Sequence, residues 1–209
     1  MRKTAVVLGI FALLGTAIMF ITFKHSQPYI KENERQVVLR TLQIVLPGKE
    51  FDNDIVSDVI MAVSRQGLGS TEPLPVYRAR KQGQPVAAVL TVIAPDGYGG
   101  PIKLLVGVRV DGSISGVRVV AHRETPGLGD AIEESRSDWI TSFNGKSLEN
   151  TGTTAWRVRK EGGDFDQFTG ATITPRAIVT AVHNALQYYQ GQRDTLFTEN
   201  SGKTLYQGV

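Results

Sequence analysis

Three threonines, Thr169, Thr172 and Thr174, fall within the segment Asp166-Gln167-Phe168-Thr169-Gly170-Ala171-Thr172-Ile173-Thr174-Pro175. A threonine hydroxyl in such a place has two uses: it can cap a helix, or it can be esterified to a phosphate. The helix signal is explicit. Thr174 suits the N-cap and Pro175 the first helical position, where its missing N–H costs nothing. Apolar residues then recur at Ile178, Val179, Val182, Leu186 and Tyr189. That spacing is one face of an amphipathic helix over Arg176 to Gln190. Its N-terminus would present free N–H groups and the positive end of a dipole, both of which favour a phosphate. On local pattern alone, capping is the commoner use of threonine.

The elements that must hold this segment are mostly strands. Val76 to Arg80, Val86 to Ala94, Pro101 to Val110 and Ser113 to Ala121 are strand-like runs. A Gln-Gly-Gln-Pro turn separates the first two, and Asp111-Gly112 is a strong hairpin signal between the last two. Val117, Val119 and Ala121 alternate with Arg118 and Val120, as in a half-buried strand. Asp130 to Phe143 has mixed helical periodicity and predicts one or two short helices. Trp156 to Lys160 reads as a final strand. The sum is an α+β domain built on antiparallel sheet. No βαβ alternation and no Gly-x-Gly-x-x-Gly after a strand is present, so a Rossmann dinucleotide site is not supported.

Two loops break this pattern: Asp96-Gly97-Tyr98-Gly99-Gly100, a hairpin loop, and Glu124-Thr125-Pro126-Gly127-Leu128-Gly129, a turn punctuated by Pro-Gly. Trp139 reads as a core residue. His122 reads as a surface or core residue without a catalytic role.

Composition excludes several chemistries. The chain has 209 residues, a net charge of +3 and no cysteine. Disulfides, thiolate catalysis and Fe–S ligation by this chain are therefore excluded, although the compartment is not identified. His25, His122 and His183 lack metal-ligand spacing, so a metal site is not expected. Charges of both signs are interspersed and there is no long basic run, so nucleic-acid binding is not indicated. No Ser-His-Asp arrangement or paired-carboxylate pattern supports a hydrolase.

The N-terminus has a different character. Thr4 to Phe23 carries no charge, and about 20 apolar residues suffice to cross a bilayer as a helix. Its end, Met19-Phe20-Ile21-Thr22-Phe23-Lys24, is bulky rather than a small-x-small cleavage site, which predicts an uncleaved anchor. Arg2 and Lys3 favour a cytoplasmic N-terminus, with Lys24, Lys31 and Arg35 weakening the asymmetry. Tyr29 to Leu46 has helical periodicity and stops at Pro47-Gly48, reading as a stalk helix or as a helix packed on the domain. Ser70 to Pro75, with two prolines, reads as a connection. The expected organisation is an anchor over 1–24, a stalk and connection over 25–75, the domain over 76–195 and a tail over 196–209.

Asp-x-x-Thr-Gly-Ala-Thr, read at Asp166 to Thr172, resembles the flavinylation motif of the covalent FMN-binding domain family. That domain occurs in the G subunit of the Rnf (Rsx) electron-transport complex and in the C subunit of the sodium-pumping NADH:quinone reductase. The resemblance continues through Ala94 to Gly100, His122 to Asp130 and Ser137-Asp138-Trp139, in that order. It implies that Thr172 carries FMN as a phosphoester, a phosphorylated threonine. Asp166 and Thr169 would belong to the motif read by a flavin transferase, and Gly170 and Ala171 would be small to admit it. Glu124, Thr125, Gly127 and Leu128 would lie against the flavin ring with Tyr98 as a neighbour, and Thr174 would complete the site at the helix start.

The resemblance further implies an electron carrier of an ion-translocating complex, held by one span in a bacterial inner membrane. Its soluble domain would be periplasmic and its partners the other Rnf subunits. The shorter chain and the phrase Asp-Gln-Phe-Thr-Gly-Ala-Thr-Ile-Thr-Pro favour the Rnf form over the quinone reductase form. A non-redox anchored scaffold of the same fold is the contrasting reading.

Overall fold

The structure, a computed structural model, describes residues 2–47 and 51–206. It begins with one helix, α1 (Arg2–Val45), so the anchor and stalk expected as two elements are continuous. The helix ends before Pro47, as the stop signal predicts; Gly48, the other half of that signal, lies outside the described residues. The chain divides into two units, Met1–Arg40 and Thr41–Val209.

In the first unit Leu13, Leu14, Ile18, Met19, Phe20, Ile21 and Phe23 are all exposed. The side chains of residues 2–11 lie outside the described set, and with them the first half of the expected anchor. Among the described residues no helix is long and apolar enough to cross a membrane.

The second unit is α+β. Its strands are β1 (Val59–Ser64), β2 (Ser70–Lys81), β3 (Gln84–Ala94), β4 (Ile102–Arg109), β5 (Ile114–Ala121) and β6 (Thr204–Tyr206). They form one sheet in the order β5-β4-β3-β2-β1-β6. Neighbours from β1 to β5 are antiparallel, and β6 joins β1 in parallel. The β2–β3 turn places Gln82 and Gly83 both at positive φ, 51° and 78°, the backbone that a two-residue hairpin with native twist requires. β1 and β6 lie outside the 76–195 span expected for the domain, yet extend its sheet.

α2 (Ile173–Thr198) covers one face. Its Ile178, Val182 and Leu186 meet Leu90, Leu104, Val106 and Val117 in the core. Each such buried side chain contributes about 1.5–3 kcal/mol. The other face receives the end of α1: Gly107 and Gly116 lack side chains where a Cβ would lie 2.6 Å from Val45 Cγ1 and 2.9 Å from the Val45 carbonyl oxygen respectively. Burial on both faces explains why Ile114 to Val117 are all buried instead of alternating.

Two elements depart from the sequence reading. Ser70 to Pro75 is strand rather than connection. Its prolines are tolerated because β3 pairs with β2 only from Val76 onward, so no ladder bond to β3 is lost there. Trp156 to Lys160 is not a strand. Short 3-10 turns at Thr153–Ala155 and Arg159–Glu161 flank a single bridge from Val158 to Phe165. Gly162, at φ 82°, turns the chain back before a ladder can form.

Arg78 fixes the far end of α2. It is 2% exposed. Its Nη1 donates to the Leu196 carbonyl at 3.0 Å and to the Glu199 carbonyl at 2.5 Å, and its Nε donates to Asp58 Oδ1 at 2.8 Å. Arg80 donates to Asp58 Oδ2 and to the Phe197 carbonyl, both at 2.9 Å. Two guanidinium groups thus satisfy the last carbonyls of the helix and oppose its negative dipole end. With that end fixed, the position of its first residues follows.

Candidate functional site

The helix starts two residues earlier than the sequence suggests. Thr172, at φ −89° and ψ −27°, precedes Ile173, and its side chain makes no capping hydrogen bond. Thr174 is therefore not the cap. It is the second helical residue, fully buried, and its hydroxyl donates to Glu124 Oε2 in a short hydrogen bond. Tertiary structure has taken a good capping residue for a contact fifty residues away. Pro175 stays within the first turn, whose N–H groups have no intrahelical partner.

The motif itself is a tight hairpin. Phe168 and Ala171 form an antiparallel bridge, with the Ala171 N–H donating to the Phe168 carbonyl at 3.1 Å. Thr169 and Gly170 sit at its exposed tip. Gly170 has φ 82°, so the left-handed turn itself asks for glycine, beyond any need for room. The base is held from below: the Trp139 Nε1–H donates to the Asp166 carbonyl at 2.7 Å, and Trp139 packs edge-on against Phe168 at 5.2 Å. Asp166 pairs with Arg159 at 2.6 Å, and Arg176, in the first turn of α2, pairs with Glu161. Trp139 is buried, as expected, and it also orients the motif.

Beside this hairpin lies a cavity of about 320 Å³. Of the expected residues, Tyr98, Glu124, Thr125, Leu128, Gly170, Ala171, Thr172 and Thr174 line it. Thr169 and Gly127 do not. Thr169 is on the hairpin tip, and the Gly127 N–H donates to Asp130 Oδ1 at 2.8 Å. Two lining residues escaped the sequence reading, Ile173 and Gly129. A Cβ on Gly129 would lie 2.7 Å from Glu124 Oε2, so this glycine makes room for the Glu124–Thr174 contact. The second glycine of Pro-Gly-Leu-Gly was its signal in the sequence.

The walls differ in chemistry. Tyr98, Leu128 and Ile173 are exposed apolar side chains, at 70%, 46% and 45%. They offer a surface for a flat ring. The opposite character is at Glu124, which is buried and accepts from the Gly99 N–H at Oε1 over 2.9 Å. Its own N–H donates to His122 Nδ1 at 3.0 Å, and His122 Nε2 lies 2.7 Å from Glu133 Oε1. Because Nδ1 accepts, Nε2 carries the proton and donates to Glu133. That hydrogen bond, with a second from Ser135, holds the exposed Glu133 carboxyl below its ordinary range. His122 thus supports the backbone of the loop, a role the sequence reading missed. A second cavity, about 210 Å³, shares Ile173 and is lined by Arg65, Asp96, Arg176 and Asn184 among others.

Comparison with known proteins matches residues 97–187 to the FMN-binding domain and residues 1–45 to the RnfG N-terminal region. The chain is 42% identical over 199 residues to the G subunit of the ion-translocating oxidoreductase complex of Pseudoalteromonas atlantica, covering 95% of this chain and 93% of that protein. It is 45% identical over 196 residues to the G subunit from Pseudomonas aeruginosa, covering 94% and 92%. The G subunit from Vibrio atlanticus is 44% identical over 198 residues, covering 95% and 94%.

Proposed function

The chain belongs to the G-subunit family of ion-translocating oxidoreductase complexes, and on that premise we propose that Thr172 carries FMN as a phosphoester with the ring seated in the adjoining cavity. The protein is a flavoprotein component of such a complex. The N-terminal region match favours this form over the C subunit of the quinone reductase.

The observation that carries the reading is the state of Thr172. Its hydroxyl is not spent on capping, it lines the cavity, and it stands at the start of α2. The helix N-terminus favours the phosphate. Tyr98, Leu128 and Ile173 suit an isoalloxazine ring, and Thr125 and Gly129 lie in the same lining. FMN supplies one- and two-electron chemistry at that ring. The chain's own residues bind and orient it; no acid, base or nucleophile of turnover is needed. The exposed hairpin tip of Thr169 and Gly170 suits recognition by a flavin transferase. The domain is then a redox relay to the neighbouring components of the complex.

The membrane reading rests on the uncharged run from Thr4 to Phe23 and on exposed apolar side chains around α1. It is also supported by Thr16 and Thr22, whose hydroxyls donate to the Ala12 and Ile18 carbonyls at 2.8 and 2.9 Å. Such internal satisfaction is what a lipid environment demands. We place the domain on the periplasmic side of the inner membrane, after one span. Alkaline phosphatase fused after the C-terminus is expected to be active in cells; an inactive fusion would reverse the orientation.

For Thr172, the full chain is co-expressed with a flavin transferase, denatured, separated on a gel and viewed under ultraviolet light. A fluorescent band is expected for the wild type and none for Thr172→Val. A dark wild-type band, with the transferase active on another substrate, would favour the scaffold reading.

A further inference from the structure

Glu124 is a buried carboxylate, 5% exposed, that forms no ion pair among the described residues. Both oxygens are used as acceptors. Oε1 accepts from the Gly99 N–H and Oε2 from the Thr174 hydroxyl. Three segments distant in sequence therefore meet on one side chain: the loop before β4, the loop after β5, and the start of α2. Accepting at both oxygens is the hydrogen-bonding pattern of a carboxylate anion, and the helix N-terminus beside it is the favourable place for one. The side chain is also part of the cavity wall, where little water screens its charge.

We propose that Glu124 is a positioning residue that locks the Thr172-bearing helix start to the Gly99 loop, and that its buried negative charge sets the flavin potential low. The proposal rests on the flavin reading above. Reduction adds electron density to the ring, and a fixed negative charge on the wall opposes it. The clasp and the charge are separable. Glu124→Gln keeps the shape: the amide oxygen accepts from Gly99, and the amide nitrogen donates to a rotated Thr174 hydroxyl. Only the charge is lost. Thr174→Val keeps the charge and removes the clasp.

The test uses the full chain in detergent, loaded with FMN by a transferase, with the midpoint potential read by spectroelectrochemistry and the thermal midpoint read separately. Among molecules that carry flavin, Glu124→Gln is expected to shift the potential upward. Thr174→Val is expected to lower the thermal midpoint and the extent of loading, with the potential nearly unmoved. Equal potentials for loaded wild type and loaded Glu124→Gln would overturn the electrostatic role. Unchanged stability and loading in Thr174→Val would overturn the clasp. If Glu124→Gln does not accumulate, Glu124→Met, uncharged and of similar length, gives the same comparison of potential. Wild-type protein that takes up no flavin overturns the parent reading, and this proposal with it.

Discussion

The Trp139 indole N–H donates to the backbone carbonyl of Asp166 at 2.7 Å, across 27 residues of sequence. This bond ties the first residue of the threonine motif to the 3-10 helix Asp138–Phe143. Ring contacts to Phe143 at 5.4 Å and Phe168 at 5.2 Å hold the indole in place. A phenylalanine keeps most of the ring contact and loses the donor.

Trp139→Phe should accordingly cost about 1 kcal/mol and slow flavin attachment at Thr172. Urea denaturation reads the first effect, and a time course of in-gel fluorescence reads the second. Attachment at the wild-type rate would show that the motif does not depend on this anchor.

Arg78 is the second target. Replacing it with methionine leaves Asp58 partly unpaired and strips donors from the Leu196 and Glu199 carbonyls. Breaking a buried ion pair from one side destabilises by about 3–5 kcal/mol. The urea midpoint of Arg78→Met should fall accordingly, whereas Arg159→Met, at an exposed pair with Asp166, should change it by less than about 1 kcal/mol.

Acid should weaken the same cluster. Burial alone would raise the Asp58 carboxyl, but hydrogen bonds from Arg80, Ser201 and Arg78 outweigh it and hold the group below its ordinary 3.8. A carboxyl depressed in the folded state adds stability above its unfolded value and loses it as pH falls through the folded one. Stability should thus decline as pH drops below about 4, with a shallower decline in Asp58→Asn. Parallel pH profiles for the two proteins would remove Asp58 from the explanation.

Gly99 tests the cavity from another side. A Cβ there would lie 1.9 Å from the Arg123 carbonyl oxygen and 3.1 Å from the Glu124 nitrogen. Gly99→Ala must push the two loops apart, at a cost of about 1–3 kcal/mol, and should reduce flavin loading. Gly152→Ala, where a Cβ meets nothing within 4 Å, is the control expected to behave as wild type in melting and loading.

Much of this protein was present in its local sequence. Strand-like apolar runs bounded by turn signals marked β3, β4 and β5. Asp111-Gly112 and Gln82-Gly83 marked turns through backbone freedom alone. The threonine motif marked the segment that borders the cavity beside α2, and Gly170 within it occupies a left-handed turn that restricts residue type. What covers a face, and which hydroxyl is left uncommitted, depends on groups far apart in the chain. Ser70 to Pro75 became strand because β1 pairs with it while β3 stops at Val76. Thr174 had every local feature of a cap, yet Glu124 claims it, and Thr172 is left facing the cavity. Arg78 lies within a strand-like run, and nothing local marks it as the residue that holds the end of α2. For Thr174 a long-range hydrogen bond outweighs a local capping preference of about 1 kcal/mol, and in all three cases only the folded chain brings the partner close.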